Sequence, residues 1–387
     1  MSAPAGDRPA FSVHLDAIRG LAALAVFAGH ARDLFIASPR AALGVGQAAS
    51  ANEQIVATHG TIGRQAVIVF FVLSGLLVGG GVLRARKAGN WAWAPYLSKR
   101  LARLWTVLVP ALLIGLALDQ FGLHWFDPAT IYGGPVGQSE ILAGLGDRIT
   151  LPVLFGNILF LQGIAVPTFG TNVALWSLAY EFWYYIAFPL ACLAAQSGAG
   201  PVRRAGALIG VAAIGICAGR MISLYFLIWV LGAGLAAAPL LLSARFARRA
   251  VLPALALFAA GNVLLLRYPF DPILGDFVTA LLFALLTYPI LHLRDVFPAN
   301  LYARAAHGLS EMSYTLYLSH LPVLVLICAI VLGPWHRLPL DPGHGALILG
   351  ILAVVFAYCW VCWYCFERNT GRIRRLFASR FSGKGQA

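Results

Sequence analysis

Arg19 and His30 share one apolar stretch, IRGLAALAVFAGH, eleven residues apart. At 100° per residue that spacing returns to within about 20° of the starting direction, so both side chains leave one helix face, about 16 Å apart along the axis. A guanidinium binds anions, and an imidazole accepts and returns protons near neutral pH. Asp16 precedes Arg19 by three residues, where it can pair with it. The plain alternatives are an interfacial anchor for Arg19 and an interhelical hydrogen bond for His30. Ionisable groups at this depth are costly and mark functional sites, which favours a role in chemistry.

Four further stretches carry candidate groups. VFFVLSGLLVGGG places Ser74 and Gly75 near mid-membrane. Gly75 and Gly79 form a G-x-x-x-G pattern that admits a second backbone at close range, or leaves room for a narrow ligand. In YLSKRLARLW, Arg100 and Arg103 lie on one helix face at a membrane border, spaced to grip phosphate or lipid headgroups. In LWSLAYEFWYYIAFP, Glu181 is the lone acid, about 9 Å into its span. His30 reaches a similar level, so a carboxylate that sets its tautomer and raises its basicity is expected to be Glu181. Trp176, Tyr180, Trp183 and Tyr184 form an aromatic belt around it, with Tyr184 as structural support. In SEMSYTLYLSHLP, His320 precedes Pro322. The proline removes a helix N–H, and His320 is placed either to bond the freed carbonyl or to line the site.

These residues need apolar helices to carry them. The chain has 387 residues, 60% hydrophobic and only 11% charged, which defines an integral membrane protein. Ten spans are expected: 17–36, 65–83, 103–119, 175–195, 205–219, 222–242, 251–266, 277–293, 313–333 and 346–366. The fifth is short, and 151–163 reads as an interfacial or re-entrant piece. The net charge of +13 is a topology signal and not a nucleic-acid footprint, because the basic residues cluster between spans on one side. Both termini are therefore expected in the cytoplasm, with a tail over 1–16, a transmembrane domain over 17–366 and a basic tail over 367–387. No cleavable signal peptide is expected. The six cysteines sit in apolar segments, and the run Cys359, Cys362, Cys365 reads as buried packing instead of a metal site. The fold class is an all-α polytopic helix bundle.

In order along the chain, these stretches resemble the acyltransferase 3 family of multi-spanning membrane O-acyltransferases. The likeness lies in L-D-x-x-R-G with a histidine eleven after the arginine (Leu15 to His30). It continues through F-F-x-x-S-G (Phe70 to Gly75), R-x-x-R (Arg100 to Arg103), W-S-L-x-x-E (Trp176 to Glu181) and S-Y-x-x-Y-L-x-H-x-P (Ser313 to Pro322). Ala17 stands where the family often has glycine. The resemblance implies transfer of an acyl group, with acetyl the expected one, from cytoplasmic acyl-CoA to a hydroxyl. Acceptors would be an envelope or exported polysaccharide or a lipid-linked sugar, in a bacterial inner membrane. It also implies the stand-alone form, without the hydrolase-like extension that many relatives carry.

On this reading acyl-CoA is a cosubstrate and no cofactor or metal is held permanently. Arg100, Arg103 and Arg19 take the CoA phosphates, Ser74 and Gly75 flank the pantetheine arm, and His30 and Glu181 do the chemistry. The partners are the sugar acceptor and membrane lipid, with a homo-oligomer allowed and nucleic acid excluded. The competing class is a transporter or flippase for lipid-linked sugars or acyl groups, which uses intramembrane His, Glu and Arg equally well. An internal repeat would favour transport, and none is visible.

Overall fold

The computed structural model describes residues 9–37, 62–127, 129–133, 144–268 and 270–373. The outer ends of both expected tails, 1–8 and 374–387, lie outside the described residues. Ten helices are followed here: α1 (Ala10–Phe35), α2 (Ile62–Lys87), α3 (Trp93–Trp125), α4 (Leu151–Ile158), α5 (Trp176–Ala194), α6 (Pro201–Ala237), α7 (Ala244–Arg267), α8 (Pro272–Ile290), α9 (Leu301–Val331) and α10 (Pro342–Cys365). No strand forms among the described residues, only isolated bridges. The protein is an all-α helix bundle.

Eight of its described helices are long and apolar enough to cross a membrane, against ten spans expected. The difference arises in two places. The Trp- and Tyr-rich α5 is 19 residues long but is not among the eight. Helix α6 counts once, although its 37 residues would extend about 55 Å, nearly twice an apolar core of about 30 Å. It is broken at Gly219, whose φ of 84° and ψ of 175° only glycine adopts readily. In a straight helix residues 215 and 223 stand about 12 Å apart. Here Ser223 Oγ donates to Gly215 O at 3.2 Å and to Gly219 O at 2.9 Å, so the chain bends sharply. The break falls where the sequence separates its fifth and sixth spans. At the N-terminus, α1 already begins at Ala10, so His14 and Asp16 are helical. Residues 151–158 form a helix of eight residues, too short to span.

The helices divide into two compact units. The first holds α1 through Ala22, α2, α5 from Tyr180, α6 to α8, and α9 through Ser310. Its core is a backbone-to-backbone crossing of α2 and α6. A Cβ built on Gly75 would meet Trp229 O at 1.9 Å, and one on Gly232 would meet Val72 O at 2.0 Å. The glycines of the G-x-x-x-G pattern are therefore filled by helix packing, and the space beside Gly75 holds the α6 backbone instead of a ligand. Across this core Arg64 on α2 grips Asp276 on α8 through Nε and Nη2 at 2.6 to 3.1 Å, and it also donates to Tyr225 OH on α6 at 2.6 Å. Tyr225 OH in turn donates to Asp276. Helix α7 joins through Asn262, whose Oδ1 accepts from Thr279 and whose carbonyl accepts from Gln65. Apart from Ala247 and Asn262 its residues are not buried, which suits a helix bathed in lipid.

The second unit holds α1 from Ala23, α3, α4, the segment leading to Ala179, α9 from Glu311, and α10. Asp119 on α3 is buried and accepts from Thr171 N (2.9 Å) and Thr171 Oγ1 (2.8 Å), which ties the segment before α5 to α3. Cys359 and Cys362 are buried on α10, and Cys365 is exposed.

Three substitutions test this packing. Gly232→Ala forces α2 and α6 apart and is expected to destabilise by about 1–3 kcal/mol. Gly81→Ala, which meets nothing within 4 Å, leaves the melting temperature of the detergent-solubilised protein unchanged. Asp276→Asn strips the partly buried Arg64 of its counter-charge and is expected to destabilise by about 3 kcal/mol, read as a lower melting temperature.

Candidate functional site

In the second unit, His30 and Phe27 lie one turn apart on α1, and both reach His320 on α9. His30 Nδ1 is 2.8 Å from His320 Nε2, with ring centroids 5.1 Å apart and planes within 16°. Phe27 meets the His320 ring edge-on at 5.6 Å. His320 is fully buried, whereas His30 is partly exposed. The second ring nitrogen of His320, Nδ1, lies 2.7 Å from Leu316 O, one turn back on its own helix.

The proline next to this pair is accommodated by a residue the sequence reading did not single out. Pro322 has no N–H for Leu318 O, and Asn172 Nδ2 donates to that carbonyl at 2.7 Å instead. Of the two alternatives for His320, bonding the freed carbonyl is not the one observed: His320 bonds Leu316 O, and Asn172 serves Leu318 O. Beside them Tyr317 OH donates to Ala174 O at 3.0 Å and shares a hydrogen with Ser177 Oγ at 2.7 Å. The segment before α5 is thereby stapled to α9 just ahead of the histidine.

Arg100 and Arg103 also belong to this unit. Arg100 is half-buried, with its guanidinium 5.9 Å from the Tyr96 ring centre. The Arg103 side chain is 45% exposed, and its Nη2 lies 3.9 Å from Glu367 Oε1. Glu367 is buried just beyond α10, where its Oε2 accepts from Thr315 N (3.0 Å) and Thr315 Oγ1 (2.6 Å) on α9. Tyr314 OH donates to Leu104 O of α3 at 3.2 Å. The basic border of α3 is thus anchored on α9 at residues 314–315. His320 follows Thr315 by about 7.5 Å along the same helix.

The first unit gathers two other groups. Arg19 Nη1 donates to Ser310 Oγ at 3.3 Å, and Ser310 Oγ donates to Asp16 Oδ1 at 3.0 Å. His307 Nδ1 is 3.7 Å from Asp16 Oδ2. Asp16 therefore supports Arg19 through a serine of α9. Separately, Ser74 Oγ accepts from Trp229 Nε1 (3.0 Å) and donates to Glu181 Oε1 (2.9 Å). Tyr185 OH donates to the same carboxylate oxygen. Ser74 is the last residue before a π-helical turn over Gly75–Gly79, a local widening common at functional sites.

Each of the two groups expected to do the chemistry has partners within its own unit. Glu181 bonds Ser74 and Tyr185, and the partner of His30 is a second imidazole. Tyr184, the expected support, instead donates to Ile222 O at 2.7 Å, and Tyr185 does the supporting. Sequence reasoning passed over Tyr185, Trp229, Ser310, Asn172, Thr315 and Glu367. Two of these carry a signal: Glu367 is the acid that ends the last apolar run, and Asn172 answers a carbonyl that Pro322 leaves in need of a donor.

The second unit thus holds an imidazole pair, one ring buried and one partly exposed, together with two arginines of α3. Residues 13–367 match the model of the acyltransferase 3 family, described as an acyltransferase domain, and the chain belongs to that family of membrane acyltransferases. No curated protein and no solved structure matches the chain significantly.

The carboxylate cluster makes a stability prediction. Ser74→Ala and Tyr185→Phe each remove one hydroxyl from Glu181 Oε1 and are expected to destabilise by about 1–3 kcal/mol. Because they share one oxygen, the double variant should depart from additivity by about 0.5–3 kcal/mol in a thermal or denaturant melt.

Proposed function

We propose that this membrane acyltransferase moves an acyl group, acetyl by expectation, from cytoplasmic acyl-CoA to a hydroxyl of a carbohydrate. The acceptor would be an envelope or exported polysaccharide or a lipid-linked sugar, and the setting a bacterial inner membrane crossed many times. The observation that carries this reading is the sharing of α9 by two kinds of chemistry. At Thr315 it holds Glu367 beside Arg103, and about 7.5 Å further along it presents His320 to His30.

The roles follow from the groups. Arg100 and Arg103 offer fixed positive charge to the phosphates of CoA. His30 acts as general base on the acceptor hydroxyl. The hydroxyl oxygen then bonds the thioester carbonyl carbon and the carbon–sulfur bond breaks. The departing thiolate takes back the proton, so an ester and free CoA thiol are the products. A permanent cofactor has no part in this sequence, since acyl-CoA supplies the activated carbonyl.

The test is release of CoA thiol by purified protein in lipid, supplied with acetyl-CoA and candidate acceptors such as undecaprenyl-linked sugars. Wild type should release thiol in step with acceptor acylation, whereas a transporter would not. His30→Gln should lower kcat by about 10²–10⁴ while the protein remains folded. Arg103→Ala should raise KM for acetyl-CoA with a smaller effect on kcat. Full activity in the His30 variant refutes the base.

A further inference from the structure

We infer that His320 is a positioning residue that fixes the tautomer of His30 and thereby makes His30 Nε2 the atom that takes the proton. The catalytic half of this statement rests on the reading above. The tautomer half rests on hydrogen-bond geometry alone.

A backbone carbonyl only accepts, so the contact between His320 Nδ1 and Leu316 O at 2.7 Å places a hydrogen on Nδ1. A neutral imidazole carries one N–H, which leaves a lone pair on His320 Nε2. The nitrogen facing that lone pair at 2.8 Å is His30 Nδ1, which must donate. Neutral His30 then has its own lone pair on Nε2, and no described side chain bonds that atom. The chain runs in one direction, from His30 Nδ1–H to His320 Nε2, and from His320 Nδ1–H to Leu316 O.

Three features hold this arrangement. Phe27 abuts the His320 ring. Asn172 secures α9 at Leu318 despite Pro322. The nearby carboxylate, Asp33, is one turn beyond His30 and is held by Arg32 at 2.6 Å, while Arg337 Nε donates to the Asp33 carbonyl at 3.0 Å. His320 therefore fills the orienting place that a carboxylate holds in a catalytic triad. When His30 Nε2 removes the hydroxyl proton, the resulting imidazolium keeps its Nδ1–H on His320 Nε2, and the proton leaves again from Nε2 to the thiolate. No electron or external proton is needed.

The experiment uses the full-length protein, labelled with ¹⁵N-histidine and held in lipid nanodiscs at neutral pH. The His30 signals are identified by their loss in His30→Gln. Wild type is expected to show a protonated, pyrrole-type Nδ1 and an unprotonated, pyridine-type Nε2. The His320→Gln variant keeps an acceptor oxygen close to the Nε2 position, so it should retain this pattern and a kcat within about tenfold of wild type. The His320→Met variant fills similar space without an acceptor. It should lose the pattern and drop in kcat by about 10²–10⁴, with KM for acetyl-CoA unchanged, as triads do when the tautomer is wrong. A wild-type His30 protonated on Nε2 overturns the inference, as do Gln and Met variants with equal kcat and equal spectra. If the Met variant fails to fold, the wild-type spectrum still decides. A wild type that shows the expected tautomer yet releases no thiol leaves the assignment standing and removes the acyl-transfer reading alone.

Discussion

Hydrocarbon offers no hydrogen bonds, so every polar group carried into an apolar bundle has to be met by another group of the protein. That constraint shapes each feature described above. Arg64 is met by Asp276 and Tyr225, Glu181 by Ser74 and Tyr185, Glu367 by Thr315, and His320 by Leu316 O and His30. None of these partners is close in sequence apart from Tyr185 and Leu316, each one helical turn away. The pairings therefore tie distant helices of each unit together, and the groups that stabilise the bundle are the same kinds of group that do chemistry.

The close crossing of α2 and α6 shows why this works mechanically. With no side chain on Gly75 or Gly232, the two backbones approach until a methyl group would collide. At that separation the Trp229 indole N–H reaches Ser74, and Ser74 reaches Glu181. Close packing here precedes polar contact: a wider crossing would take the buried Trp229 indole N–H out of reach of Ser74. The π-helical turn that starts after Ser74 belongs to the same arrangement, because it shifts the register of α2 by part of a turn directly beside the crossing.

Much of this was legible in the amino-acid order. Long apolar runs with sparse charge dictate membrane-spanning helices, and the expected division between spans 205–219 and 222–242 falls at the break in α6. The groups at His30, His320, Glu181 and the arginines stand out because such residues are rare in apolar runs. What the order of residues does not reveal is who meets whom. The pairing of His30 with Glu181 rests on expected depth along each span alone. Depth says nothing about the direction in which each helix is turned around its axis, and that rotation brings a second imidazole to His30 and a serine to Glu181. The eleven-residue spacing of Arg19 and His30 survives intact, since it depends on a single continuous helix.

The hydrogen bond from Asn172 to Leu318 O has an evolutionary reading. Pro322 creates a vacancy in the ladder of α9, and a side chain from a segment 146 residues away in sequence occupies it. Restoring an ordinary residue at 322 would return the missing N–H and leave the amide idle. Losing the amide first would strand a carbonyl in an apolar interior. The two positions are thus coupled, because changing either one alone leaves a buried polar group, the Asn172 amide or the Leu318 carbonyl, without its present partner.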